Sequence, residues 1–392
     1  MTTNNENKKT KESKISFKFN AQSYALIIAL VLIAVLFAVL TGGEFLSSRN
    51  LSNLFTQMTV ISVLAIGMTF VIVTAHIDLS VGSLAGLTGG IAGILHVWYD
   101  WNTGIVVLAA VMVGALLGLF QGWWVAYRAV PAFIVTLGGM LIFRGILVGI
   151  TGGQTIAPMD QSFRSIAGSY LPFSLGYILA VSGIILLFFF TIRRRARRRE
   201  LQLQLPSPFM DFGKISLYAV GILLVTYILS RYQGIPLPLI IVVVLGGIFI
   251  FVSSKTAFGR SIYAIGGNKE AAALSGINIK RNTFLVFGLM GALAGIAGII
   301  LTSRLNAATT GAGDMYELDA IAACVIGGTS LAGGRGYIVG SIIGALIMVS
   351  IDNGMSMMNI PTFWQYIVKG SILIVAVWVD IASKNKTSAS VA

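Results

Sequence analysis

Of the 392 residues, 56% are hydrophobic and 10% are charged, and the mean hydropathy is +0.88. A soluble domain carries about 25% charge, so a water-soluble globular protein is excluded and the chain must fold within a bilayer. The formal net charge of +13 does not argue for a nucleic-acid partner, because the basic clusters flank apolar runs, as they do in cytoplasmic loops that set orientation and rest on anionic lipid. The single cysteine, Cys324, excludes an internal disulfide and reads as packing.

Taken in chain order, residues 1–20 are polar and basic and read as a disordered cytoplasmic tail. The apolar run from Tyr24 to Leu40 is too long for a typical signal-peptide core and lacks an A-x-A cleavage site, so it reads as a retained first span. Crossing a bilayer takes about 20 apolar residues. Candidates fall near 22–40, 54–75, 79–97, 103–125, 131–150, 171–192, 215–230, 236–254, 283–302, 318–333, 336–351 and 362–381. Glycines interrupt 79–97 and 318–333, so either is a bent or discontinuous helix.

With the first tail inside, twelve crossings put Arg128, the run RRRARRR (193–199), residues 255–281, Arg335, Lys384 and Lys386 inside as well. Only Arg49, Arg164, Arg231 and Arg304, each isolated, fall outside. The expected architecture is an all-α polytopic membrane protein of ten to twelve spans. Its transmembrane domain covers 21–382, with basic cytoplasmic loops at 193–214 and 255–282 and a cytoplasmic tail at 383–392. The arginine run directly follows LLFFFTI and reads as a stop-transfer anchor; a specific phosphate or lipid-headgroup site is the sharper alternative.

Two segments echo each other. SRN (48–50), an apolar span, HIDLSVGSLAGLTGG (76–90) and VPAFIVTLGGMLI (130–142) are matched by KRN (280–282), a span, ELDAIAACVIGGTSLAGG (317–334) and IPTFWQYIVKGSI (360–372). Asp78 then corresponds to Asp319, and Pro131 and Phe133 to Pro361 and Phe363. Seven spans separate the two starts, so the halves, about 48–150 and 280–381, run in opposite directions, the inverted repeat of many transporters. Glycine-broken backbone inside a membrane must be buried in protein or line a wet cavity. This makes Gly82–Gly90 and Gly327–Gly336 the expected pathway lining, with close packing as the alternative. Ser80, Gly82, Gly327 and Gly328 are therefore candidate pathway residues, with the ionisable Asp78, Arg144 and Asp319. Asp78 also reads as a helix cap, and Asp319 as a partner for Arg144 or Lys369.

Residues 264–281 form a polar island between apolar stretches. Asn268 is placed to cap a short helix, Glu270 suits its first turn, Ala271, Ala272, Ala273 and Leu274 favour helix, and Gly276 is placed to end it. Two turns are marginal in water, so something must hold them, and a small alanine face would fit a groove on another protein.

AFGRSIYAIGGNKEAAALSGI (257–277), IDLSVGS (77–83) and ACVIGGTSLAGGRG (323–336) resemble the permease subunits of sugar-importing ABC transporters, in the branch that handles ribose and other monosaccharides. GWWVAYRAVPAFIVTLGGMLIFRGILVGIT (122–151) and DNGMSMMNIPTFWQYIVKGSIL (352–373) carry a likeness to the xylose-type members. The resemblance covers about Arg49 to Asp380. It implies a type II importer permease fold and a homodimer in the membrane, with a separate ATPase subunit and an extracytoplasmic sugar-binding protein. It also implies import of a pentose, D-xylose, by alternating access across a bacterial inner membrane. Residues Gly267, Asn268, Glu270, Ala271, Ala272, Ser275 and Gly276 would then belong to the helix that couples to the ATPase.

The residues agree on one independent point. There is no G-x-x-x-x-G-K-[ST] loop, so ATP must act through a partner. No enzyme activity, cofactor or metal is expected: His76 and His96 are the only histidines, no ligand cluster has metal spacing, and no G-x-S-x-G elbow occurs. The rival reading, an ion-coupled secondary sugar transporter, would rest on Asp78 or Asp319 and leaves the polar island without a role.

Overall fold

The computed structural model describes residues 21–203, 205 and 207–389. The expected tail 1–20 lies outside the described residues. In the expected tail 383–392, the residues up to Ala389 continue the last helix beyond its apolar span, which ends at Ala382.

In chain order the elements are α1 (Ala21–Leu40), α2 (Ser48–Val73), α3 (Val81–Gly93), α4 (Thr103–Ala126), α5 (Ala132–Thr151), α6 (Gln161–Gly168), β1 (Tyr170–Leu171), α7 (Phe173–Glu200), α8 (Pro208–Ser230), β2 (Ile235–Pro236), α9 (Leu237–Lys255), α10 (Ala257–Gly267), α11 (Lys269–Leu274), α12 (Ile279–Leu305), α13 (Tyr316–Ile326), α14 (Ile338–Met357) and α15 (Thr362–Ala389). A five-residue π turn, Ile94–Trp98, extends α3. The antiparallel pair β1–β2 ties the start of α7 to the start of α9.

Among the described residues, ten helices are long and apolar enough to cross a membrane. The expected span at 318–333 is not one continuous helix. Its helical part, α13, has 11 residues, too few for the ~20 a crossing takes. The chain nevertheless passes from end to end here: Ala308 pairs with Ile156 at one end of the bundle, and the Gly334 amide donates to the Val73 carbonyl at the other. α1, which packs on α14, and this broken passage add two further candidate crossings to the ten. Residues 193–199, Lys255 and the α10–α11 segment share the Val73 end, hereafter the basic end.

α2 and α12 form the centre, and α2 is almost wholly enclosed. α4 lies along α12 and α14 along α2; α3 packs on α12 and α5, and α13 packs on α2 and α15. Each half thus makes the same set of contacts with the other. α2 ends at the basic end and α12 begins there, so the halves are inverted. α4 and α12 meet along glycine seams: a methyl group on Gly118 would collide with the Phe287 carbonyl and the backbone of Gly291, and one on Gly291 with the Gly114 carbonyl. Between lipid tails there is no hydrophobic drive to pair helices, so this backbone approach is what holds them.

Polar pairs fix α14 against α2. Asn50 and Asn353 exchange amide hydrogen bonds of 2.9 and 3.1 Å, and the Thr69 and Ser341 hydroxyls lie 2.7 Å apart. The Cys324 thiol is buried and donates to the Ala65 carbonyl at 3.2 Å. α7 and α8 stand at the periphery, exposing most of their apolar surface.

Candidate docking surface and intrabundle polar network

The polar island folds as two short, fully capped helices. The Thr256 hydroxyl accepts from the Gly259 amide and Asn268 Oδ1 from the Ala271 amide at 2.9 Å, and Asn278 Oδ1 caps the following α12 by accepting from the Arg281 amide. At the end of α11, Gly276 has φ +80°, and its amide and that of Ile277 donate to the Ala273 and Ala272 carbonyls. This is the left-handed glycine cap that a short helix needs. The Ser275 hydroxyl donates to the Ala271 carbonyl at 2.9 Å.

The island is held from below by backbone contact. Gly266 packs on the Val73 carbonyl, Gly333 and Gly334 pack on Gly266 and Gly267, and Gly333 and Gly334 both have positive φ. The Tyr263 hydroxyl donates to the Gly336 carbonyl at 2.8 Å. Burial, then Tyr337, pushes the Tyr263 phenol above its ordinary range, which keeps the donor protonated. The glycines of GGRG therefore serve close approach: the loop after α13, the end of α2 and the end of α10 are one clamped unit.

The outward face differs from the one expected. Ala272 is buried against the protein's own body. Gly267, Asn268, Glu270, Ala271, Ser275 and Gly276 are exposed. The residue missed by sequence reading is Leu274, which is 91% exposed at the tip of α11. Its signal was present: a large apolar residue ending a helix whose other outward positions are polar or small.

Inside the bundle, the starts of α3 and α13 meet. Gly82 lies against the Gly313 carbonyl and the Glu317 carboxylate. Asp78 Oδ1 accepts from the Ser80 amide at 2.8 Å and from its hydroxyl at 2.6 Å, and Ser80 also bonds Gln121. Asp78 thus shapes the approach to α3, whose first residue is Val81 rather than Leu79. Arg144 Nη1 donates to the carbonyls of Thr310 (2.6 Å) and Ala312 (3.0 Å), fastening the irregular backbone before α13, with Asp314 at 3.8 Å. Asp319 pairs with Lys369 at 2.9 Å, not with Arg144, and Lys369 also reaches Asp352 at 2.7 Å.

One expectation is corrected. Asp78 and Asp319 are not structural equivalents: Asp78 precedes its half-helix, whereas Asp319 lies in the first turn of the other. In this conformation the glycines make close contacts or turns: Gly82 is enclosed as above, Gly327 abuts Gly340, and Gly328 turns the chain at φ +91°. In this conformation none of Asp78, Ser80, Gly82, Arg144, Asp319, Gly327 or Gly328 lines either of two open cavities at the ends of the bundle. One of these, about 910 Å³, is a vestibule at the end opposite the basic one, bordered by Asn50, Asn53, Gln161, Arg164, Tyr170, Tyr232 and Arg304. A second, about 580 Å³, opens at the basic end between His76, Pro131, Lys269 and Lys280. Among the described residues no group of histidine, cysteine and carboxylate side chains could hold a metal ion.

The model of the family described as branched-chain amino acid transport system / permease component matches residues 50–377. The chain belongs to this permease family. It is 50% identical over 370 residues to the xylose transport system permease protein XylH of Escherichia coli (strain K12), covering 94% of each chain. It is 50% identical over 367 residues to XylH of Haemophilus influenzae, covering 94% of this chain and 98% of that one. The ribose import permease protein RbsC of Escherichia coli (strain K12) is 38% identical over 356 residues, covering 91% and 92%. No solved structure matches. The chain is a multi-pass transport permease and not an enzyme, and it has the type II ABC importer permease fold expected from its motifs.

Proposed function

We propose that this permease imports D-xylose across a bacterial inner membrane by alternating access, driven by a separate ATPase that docks on the α10–α11 segment. The observation that carries the reading is the clamped island. A rigid, capped pair of helices presents an exposed leucine outward and is joined through Gly266, Val73 and Gly334 to both α2 and the loop after α13. A push on Leu274 would therefore move both repeats at once. The basic end is then cytoplasmic, with both termini there, and the vestibule faces the sugar-binding protein. Amides, tyrosine faces and arginines around that vestibule suit a polyhydroxylated solute.

A homodimer is supported by charge. Arg144 and Asp314 are side by side within the membrane-spanning region, and Asp314 is 63% exposed on the single chain. Such charges do not face lipid. A second copy, with a wet path between the two, satisfies them.

The test is ATP-driven xylose uptake into proteoliposomes containing the permease, its ATPase and its sugar-binding protein. Leu274→Asp should lower uptake at least tenfold and release the ATPase while the permease remains monodisperse. Undiminished ATP-driven uptake by the variant would refute docking at this surface. Uptake by the permease alone on an ion gradient would make it a secondary transporter.

A further inference from the structure

The α7–α8 hairpin contributes nothing to the docking island or to the vestibule's polar wall beyond its base, yet it holds a built cavity. A pocket of about 270 Å³ lies between the two helices at the basic end, with Thr191, Arg194, Arg195, Arg198, Lys214 and Tyr218 on its wall. The cationic side chains arrive by helical spacing. Residues 187, 191, 194, 195 and 198 share one face of α7, and 211, 214, 215 and 218 one face of α8. Arg193, Arg197 and Arg199 project elsewhere on α7. The arginine run is therefore two populations, one aimed into a cleft and one not.

Within the cleft, Asp211 is the one acid on the wall, and it is consumed by an ion pair with Arg195. Arg195 also lies over the Phe212 ring, which packs on Phe188. Arg194, Arg198 and Lys214 form no ion pair among the described residues, leaving three positive charges around a cavity with hydroxyl donors. Its floor is apolar, made by Leu187 and Ile215, and both helices carry further exposed apolar side chains, among them Leu186, Phe190 and Leu217. Depth agrees with an amphiphile. At about 1.5 Å per residue, Arg194 lies about 31 Å beyond the start of α7, one hydrocarbon thickness. That level is where lipid phosphates sit.

We propose that this cleft is a binding site for one anionic phospholipid, its phosphodiester held by Arg194, Arg198 and Lys214 and its acyl chains laid along α7 and α8. Arg195 is a positioning residue, fixed by Asp211. The shared chemistry is a phosphate oxygen cluster; the apolar floor commits the site to a lipid over free phosphate. The proposal depends on the hairpin alone and stands or falls separately from ATPase docking.

The experiment is native mass spectrometry of the full-length chain in detergent, titrated with phosphatidylglycerol, phosphatidylcholine or sodium phosphate. The wild type should retain one phosphatidylglycerol at least tenfold more tightly than phosphatidylcholine, undisturbed by millimolar phosphate. Arg194→Gln, Arg198→Gln and Lys214→Gln together should remove that preference. Arg193→Gln, Arg197→Gln and Arg199→Gln remove the same charge outside the cleft and should keep it. Equal loss in both triple variants would reduce the site to diffuse attraction. Displacement by inorganic phosphate would make it a free-anion site. Either result overturns the proposal.

Discussion

At the scale of single residues, the structure separates side chains that look alike in the sequence. Ala272 and Leu274 sit two positions apart on α11, but one is buried and the other is 91% exposed. Replacing Ala272 by a charged residue would test folding, whereas Leu274 tests docking. Lys369 is the hinge of a buried charge network. It compensates Asp319 and Asp352 together, and Asp319 is only 2% exposed. Removing one partner of a buried ion pair strands the other and costs about 3–5 kcal/mol. Lys369→Met should therefore lower the thermal midpoint in detergent sharply, and Asp319→Asn in the same chain should restore part of it. Asp160 gives a pH dependence. The Phe163 amide, then His96 and Ser162, hold its carboxyl down to about 2 from an ordinary 3.8. A depressed carboxylate stabilises the fold above its ordinary pKa, and the contribution disappears as pH falls through about 2. Hydrogen exchange at the Phe163 amide should accelerate over that window in the wild type and be fast at all pH values in Asp160→Ala.

At the scale of elements, what counts is how helices end and how closely they approach. α11 has only six residues, and an isolated helix of that length does not persist in water. Asn268, Gly276 and the clamp on Val73 and Gly334 hold it. Asn268→Ala should cost about 1 kcal/mol of local stability, seen as faster exchange at the Ala271 amide with unchanged bundle stability. The α4–α12 seam makes the opposite prediction. Gly118→Leu forces a side chain into the backbone of α12, and overpacking costs about 1–3 kcal/mol or more. The variant should show a lower thermal midpoint and poor yield, while Gly138→Leu, at an open position on α5, should behave as wild type.

At the scale of the whole molecule, positive charge and polar cavity lie at opposite ends. The arginine run, Lys255 and the α10–α11 island share one end, and the 910 Å³ vestibule occupies the other. Orientation can be read directly. In a Cys324→Ser background, an impermeant maleimide added to intact cells should label Gln161→Cys and leave Ser275→Cys untouched until the membrane is opened. The reverse pattern would invert the molecule and make import by this docking scheme impossible. The α7–α8 hairpin lies outside the two inverted halves, so the repeat can move while the hairpin stays with the lipid.

The sequence by itself determined the class, most of the spans, the inverted halves and the short capped helix. Each of these rests on local pattern: apolar runs of bilayer length, basic residues beside them, an Asn and a Gly at helix ends. It also marked the two glycine-rich passages: the second breaks at Gly327, whereas α3 runs unbroken through Gly82, Gly86, Gly89 and Gly90. Only the tertiary structure decided what those residues do. Gly82 meets Glu317 across 235 positions in the chain, Lys369 bridges Asp319 and Asp352, and the Gly334 amide reaches the Val73 carbonyl. Periodicity reports which face of one helix is apolar. It carries nothing about which distant backbone will press against that face, and that choice is made when the helices pack.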